Sequence, residues 1–190
     1  MTKIFLKELE THNFDDEYVS WHKSDHTVFY TASRREFTKE DLLEEYTRGK
    51  EQKNIFHYGI FYKPNSKLIG VLKLGVINWH DRTSDMIVFI GDKDFLGKGL
   101  AEQAIRQGNE LAFNEHKLRK LYGGMFKDNV GSVKAYLNAN WVIEGILKNQ
   151  YVHKKIEQDR ILVACFNPSL YNEDYYREGL HKFEDIYPSN

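Results

Sequence analysis

The stretch "SDMIVFIGDKDFLGKGLAEQAI", residues 84–105, constrains the fold more than any other part of the chain. It begins with a nearly continuous apolar run, which predicts a short central strand buried in a sheet. An irregular connection holding Gly91, Gly97 and Gly99 follows, and then the period changes. Leu100, Ala101, Ala104, Ile105, Gly108, Leu111 and Ala112 fall on one helical stripe that ends near His116. "LRKLYGGMF" then reads as another strand. Strand, helix and strand in this order predict a parallel crossover through residues 84–125.

The flanking segments complete an α/β pattern. "KIFLKELE" reads as a first strand and "DDEYVSWHKSD" as a polar, helix-like segment. "REFTKEDLLEEYTRGK" carries a helix start, with Thr38 at the N-cap, Asp41 three residues on, and Phe37 and Leu42 at the two staple positions. "NIFHYGIFYKPNSKLIGVLKLGVIN" predicts a hairpin turning at "KPNS". "NVGSVKAYLNAN" follows as a short helix with Val133, Tyr136 and Leu137 inward, and "WVIEGIL" and "DRILVACF" close the order as strands. The sum is one α/β domain with a mixed sheet, which 190 residues suffice to fill. The segment 167–190 forms a separate tail in which "NEDYYREGLHKFEDIY" predicts a short amphipathic helix.

Composition excludes several classes of function. With 27 basic and 28 acidic residues the formal charge is −1, so no general attraction to nucleic acid or anionic lipid is expected. Cys165 is the single cysteine, which rules out an internal disulfide and suits a reducing compartment; its setting in "ILVACF" predicts an inert core thiol. The first residues lack the apolar run of a signal peptide, and no stretch approaches a membrane span. The expectation is a cytoplasmic protein without a membrane or nucleic-acid partner.

Glycines ahead of a helix place backbone N–H groups near anions, most often phosphate. Two known phosphate loops do not fit. Six positions separate Gly91 from Gly97, one more than a nucleotide-hydrolase P-loop allows, and Gly99 stands where that loop needs a hydroxyl to hold magnesium. The dinucleotide fingerprint needs a third glycine where Glu102 stands. What remains is a cradle of successive amides from Gly97, Lys98, Gly99, Leu100 and Ala101 at the mouth of a helix, or else a tight turn that merely contains glycine.

"DMIVFIGDKDFLGKGLAEQAI" resembles motif A of the GNAT superfamily of acetyl-CoA-dependent N-acetyltransferases, whose pattern is [Q/R]-x-x-G-x-[G/A]. Gly99 and Ala101 match its last two positions, and Leu96 stands where Arg or Gln is usual. "KDNVGSVKAYLNANWVIEG" is similar to a second signature of the family. Asn129, Ser132, Tyr136, Glu144 and Gly145 match it, Asn140 replaces a Gly and Trp141 a Phe. The resemblance covers roughly residues 1–166. It implies a mixed, mostly antiparallel sheet of about seven strands, splayed between strands 4 and 5 and flanked by helices. The branch it resembles most contains ribosomal-protein N-terminal, diamine and amino-sugar acetyltransferases, with the amino-sugar members nearest.

The resemblance implies direct attack of an amine on acetyl-CoA, with no metal. The 97–101 amides would hold the pyrophosphate, with Leu96 beside them. The pantetheine arm would run along Phe89, Ile90 and Gly91, with an N–H near Val88 or Phe89 polarising the carbonyl. Asn129 and Ser132 would border it. Tyr136 is the expected general acid, since a phenol with a pKa of about 10 matches a leaving thiolate; the alternative is a core aromatic capping a buried carbonyl. Asp85 is the expected base, or else a strand-end carboxylate. Lys73, His80 and Arg82 surround the expected acceptor end and suit an anionic substrate group, as do Arg34 and Arg35. His22 and His26 are four apart, but no motif places a third metal ligand.

The expected acceptor is a primary amine of a small molecule, first an amino sugar or its nucleotide. A protein N-terminus or a polyamine is the alternative, the latter suggested by Glu40, Asp41, Glu44 and Glu45. A non-catalytic CoA-binding module is the remaining reading. The resemblance also implies a homodimer formed along an exposed edge near the last strands.

Overall fold

The computed structural model describes residues 2–24, 37–153, 155–177 and 180–188. In chain order its elements are β1 (Ile4–Glu8), α1 (Asp16–Trp21), α2 (Lys39–Gln52), β2 (Phe56–Tyr62), β3 (Lys67–Leu74) and β4 (Thr83–Ile90). Then come α3 (Leu100–Glu110), β5 (Lys120–Phe126), α4 (Val130–Asn138), β6 (Val142–His153), β7 (Ile156–Phe166), α5 (Glu173–Arg177) and α6 (Phe183–Ile186). Arg34, Arg35 and His26 lie outside the described residues.

Local chemistry sets several of these boundaries. Thr38 Oγ1 accepts from the Asp41 amide at 3.1 Å, and the Asp41 carboxylate accepts from the Thr38 amide at 3.0 Å, closing the capping box that starts α2. Asn129 caps α4 by accepting from the Ser132 amide at 3.1 Å. Asn140, at φ 66°, makes the left-handed turn into β6, which an Asn side chain tolerates better than most.

Seven strands form one sheet in the order β1-β2-β3-β4-β5-β7-β6. Every neighbouring pair is antiparallel except β4 and β5, which run parallel as the crossover predicts. That parallel ladder is short: Thr83, Ser84 and Asp85 face Lys120, Leu121 and Tyr122. From Met86 onward β4 has no register partner on β5, and the two strands splay apart.

Strand alternation assigns the two faces of the sheet. Leu72, Leu74, Met86 and Val88 turn toward α3 and α4, where they meet Ile105, Val133 and Tyr136. Val71 and Phe89 turn the other way, onto Phe14, Tyr18, Trp21, Leu42 and Tyr46 of the α1–α2 side. Leu72 and Met86 are essentially fully buried, each contributing about 2 kcal/mol of apolar burial. Gly108 lets α3 lie close, since a Cβ there would sit 2.9 Å from Met86 Sδ and collide with Leu72.

The tail packs onto this frame. Tyr176 stacks on Phe166 with ring centroids 4.7 Å apart, His181 bridges to Ile143 on the outer edge of β6, and Ile186 is buried in the main core. Burial pushes the Cys165 thiol up to about 12, which makes it an inert core group. Among the described residues no helix is long and apolar enough to cross a membrane.

Candidate active site

The loop before α3 is built to leave its amides open. Asp92, nearly buried, accepts an ion pair from Lys67 Nζ at 2.7 Å and receives the Asp94 amide at 3.0 Å. Burial pushes the Asp92 carboxyl up, but Lys67 and the Asp94 amide outweigh it and hold the pKa below the usual carboxylate range. The chain then passes through Gly97 and Gly99 at φ +70° and +69°, a region that side chains with a Cβ avoid. The backbone N–H groups of Gly97, Lys98, Gly99, Leu100 and Ala101 donate no hydrogen bond among the described residues. A Cβ at Gly97 or Gly99 would meet nothing within 4 Å, so open space lies in front of them. A free amide row, a helix dipole and room for a ligand are what a diphosphate needs.

From this cradle a groove of about 880 Å³ runs into the gap between β4 and β5. Asp85, Phe89, Ile90, Leu96, Gly97, Gly99, Leu100 and Ala101 line it on one side, and Asn129, Ser132 and Tyr136 on the other. Asp85 turns its carbonyl to β3, where it accepts from the Gly75 amide at 3.1 Å. Alternation therefore turns the Met86 and Val88 backbone into the gap and the Phe89 backbone toward β3. Tyr136, 4% exposed, donates its hydroxyl to the Met86 carbonyl at 2.8 Å. Burial, with Asp85 nearby, raises its pKa well above the usual phenol value, so the proton stays on the oxygen.

Beyond the gap the groove opens on the α1–α2 face. Asp85 is half-buried there, and burial raises its carboxyl pKa against the opposing pull of Lys73 and Arg160. No described cation contacts it. Lys73 Nζ is instead held by Glu45 Oε1 at 3.0 Å, while His57 Nε2 stands 3.6 Å from Glu45 Oε2. His57 and Lys73 together, against the cost of burial, hold the Glu45 carboxyl down at about 2. His22, also in the groove, is kept neutral: burial and then Lys73 lower its pKa to about 4.

Three sequence expectations land elsewhere. The Gly91 amide donates to the Ile69 carbonyl at 2.9 Å, and a Cβ there would overlap the Trp21 ring; Gly91 serves packing and stays out of the groove. The Lys98 ammonium leans on the Phe95 ring, 5.2 Å from its centroid. His80 and Arg82 are exposed in the turn ahead of β4 and do not line the groove. Of the cationic substrate contacts expected among the described residues only Lys73 lines it, and that side chain is already paired with Glu45. Two residues at the acceptor end escaped the sequence reading: His57, and Arg160 of β7. The signal for the second was the glycine pair Gly123–Gly124 inside a central strand, which marks the close approach of another group. Among the described residues no three His, Cys, Asp or Glu side chains converge as metal ligands would.

Comparison with known proteins agrees with this geometry. The model of the acetyltransferase (GNAT) domain family matches residues 3–140. A probable N-acetyltransferase, YjcK of Bacillus subtilis (strain 168), is 29% identical over 126 residues, covering 66% of this chain and 70% of the relative. Spermidine N-acetyltransferase from Vibrio cholerae, solved in complex with CoA and spermine, superposes with a TM-score of 0.80 at 20% identity, over 87% of this chain and 96% of that one. A dodecameric form of that enzyme in an intermediate state gives 0.75 at 19% identity, over 90% and 97%. With the family model covering most of its length and a free amide cradle opening on a splayed sheet, this chain belongs to the GNAT family and is an acetyl-CoA-dependent N-acetyltransferase.

Proposed function

We propose that the protein acetylates a primary amine of a small molecule by direct attack, with the amine seated against Asp85. The observation that carries this reading is one continuous groove. It has free amides at the mouth of α3 at one end and, at the other, a β4 carboxylate that no described cation pairs with, joined through the β4–β5 gap. When bound, acetyl-CoA supplies an activated acyl group. The 97–101 amides would hold its diphosphate, and Phe89, Ile90, Asn129 and Ser132 would flank its arm. The Val88 N–H, which faces the gap beside the Tyr136 hydroxyl, is the donor suited to a developing oxyanion once that hydroxyl turns to the thiolate. Asp85, made more basic by burial, takes the ammonium proton directly or through water. Tyr136 keeps a proton at Oη for the departing thiolate, once the hydroxyl turns away from Met86. Residues 1–166 act as the catalytic unit, in a cytoplasmic setting that a single buried cysteine suits.

Of the acceptor classes weighed on the sequence, polyamines have more support than amino sugars. The solved neighbours are named spermidine N-acetyltransferases, and Asp85 offers a carboxylate to an ammonium. Glu45 also lines the groove, although Lys73 already occupies it. The dodecameric neighbour favours assembly of several copies, which light scattering would detect.

The test is purified protein with saturating acetyl-CoA and a panel of spermidine, spermine, glucosamine and short peptides, following free thiol. Amine-dependent thiol release is expected. A protein that binds coenzyme A yet releases no thiol with any amine would overturn the reading.

A further inference from the structure

We propose that the acetyl acceptor carries an oxyanion, a carboxylate or a phosphate, as well as its amine, and that Arg160 of β7 recognises it. The inference rests on the acetyl-transfer reading above and competes with a polyamine as acceptor.

Arg160 stands opposite Phe126 in the β5–β7 register, so it projects from the same sheet face as Tyr122 and Asp85. Its guanidinium lies across Gly124. A Cβ at that position would collide with Nε and come within 2.7 Å of Nη2 and 2.8 Å of Cζ, so only glycine leaves the group its place. Tyr151 covers it, with Cζ 5.7 Å from the ring centroid, and Phe126 backs that ring at 4.5 Å. Backbone on one side and an aromatic ring on the other thus fix the guanidinium before any ligand arrives.

Held this way, the group has no hydrogen-bond or ion-pair partner among the described residues. Nε is buried without a hydrogen bond, and no described carboxylate forms an ion pair with the side chain. The side chain is half-buried, and a buried donor such as Nε is costly to leave without an acceptor, which a ligand oxygen would supply. The other acceptor-side cation, Lys73, is already satisfied by Glu45. Among the described residues Arg160 is therefore the acceptor-side cation without an ion-pair partner, and Asp85, on the same face of the sheet, is the anion without one. They feel each other, since Arg160 lowers the Asp85 carboxyl, but they do not touch, and both line the groove. A molecule with an ammonium and an oxyanion a few bonds apart completes both at once, the oxyanion meeting the fork of the guanidinium. A polyamine would instead bring a second ammonium against Arg160.

The experiment titrates the CoA-saturated protein, so that the phosphate cradle is filled, with matched amines by calorimetry. Putrescine is compared with 4-aminobutyrate, and ethanolamine with O-phosphoethanolamine. At least one anion-bearing amine is expected to bind about 10-fold or more tightly than its counterpart, the span of a charge-assisted hydrogen bond. The arm that gains tells carboxylate from phosphate. Arg160→Gln is expected to abolish the gain, and Arg160→Lys to restore only part of it. Equal binding within both pairs, tighter binding of putrescine, or a preference that survives Arg160→Gln would overturn the proposal. The wild-type comparison decides even if a variant fails to fold. Loss of CoA binding would sink the acetyl-transfer reading and this inference with it; CoA binding without an anion preference sinks this inference alone.

Discussion

The Tyr136 hydroxyl donates to the Met86 carbonyl one residue beyond the last register pair of β4 and β5. A side chain of α4 thus takes a bond that β5 would otherwise supply, and the gap opens where the ladder is replaced. Tyr136→Phe leaves that carbonyl unsatisfied and is expected to lower stability by about 1–2 kcal/mol. Coenzyme A affinity should change less than about twofold, while kcat falls about 100-fold, the usual loss of a general acid. Saturating thiol-release kinetics beside a CoA titration would check this. An unchanged kcat would confine the hydroxyl to capping Met86.

Gly97, Gly99 and Gly91 separate cradle from packing. Gly99→Ala forces a Cβ into a left-handed conformation at a cost of about 1 kcal/mol, with no neighbour to hit. Its main effect should be on the ligand, weakening coenzyme A about 10-fold or more while the melting temperature moves only a few degrees. Gly97→Ala should behave alike. Gly91→Ala drives a Cβ into Trp21, an overpacking cost of about 1–3 kcal/mol, and should lower the melting temperature without selectively weakening coenzyme A.

Acid should destabilise the protein in two stages. His22 titrates near 4 in the fold against 6.5 unfolded, so the unfolded chain takes up its proton first. Stability from neutral His22 is present above about 6.5 and fades as pH falls through 4. Glu45 titrates near 2 against 4.5, so its contribution is present above 4.5 and fades as pH falls through 2. Asp85 runs the other way: its raised pKa means that ionisation costs stability as pH climbs above 3.8. Melting temperature against pH should therefore drop from 6.5 to 4 and again toward 2. His22→Asn flattens the first drop and Glu45→Gln the second; identical curves for all three proteins would refute the assignment.

Much of the frame was legible because it is local. Thr38 and Asp41, Asn140, the KPNS turn and the 100–112 stripe each announce their geometry within a few residues. So does the turn ahead of α3, since Gly97 and Gly99 suit the left-handed backbone found there. The acceptor end was not legible because long-range pairing makes it. Lys73 reads as free until Glu45 arrives from α2, and Gly91 reads as a ligand position until Trp21 arrives from α1. His80 and Arg82 are near Asp85 in sequence but sit in the turn ahead of the strand, whereas Arg160 is 75 positions away and reaches the same groove from two strands over.

The tail gives the last prediction. Ile186 is 5% exposed in the core that also holds Tyr136 and Val133, and Tyr187 donates its hydroxyl to the Lys127 carbonyl, two residues before the Asn129 cap of α4. Lys134 of α4 lies over Phe183 at 5.4 Å. The segment therefore braces the helix that forms one wall of the groove. Ile186→Ala is expected to cost about 2–4 kcal/mol by cavity formation, or roughly 5–12 °C for a chain of this size. Tyr175, 68% exposed, offers the control: Tyr175→Ala should stay within about 0.5 kcal/mol. Equal melting temperatures for the two variants would show that the tail merely rests on the domain; a large gap, with a weaker coenzyme A affinity for Ile186→Ala alone, would show that the brace reaches the groove.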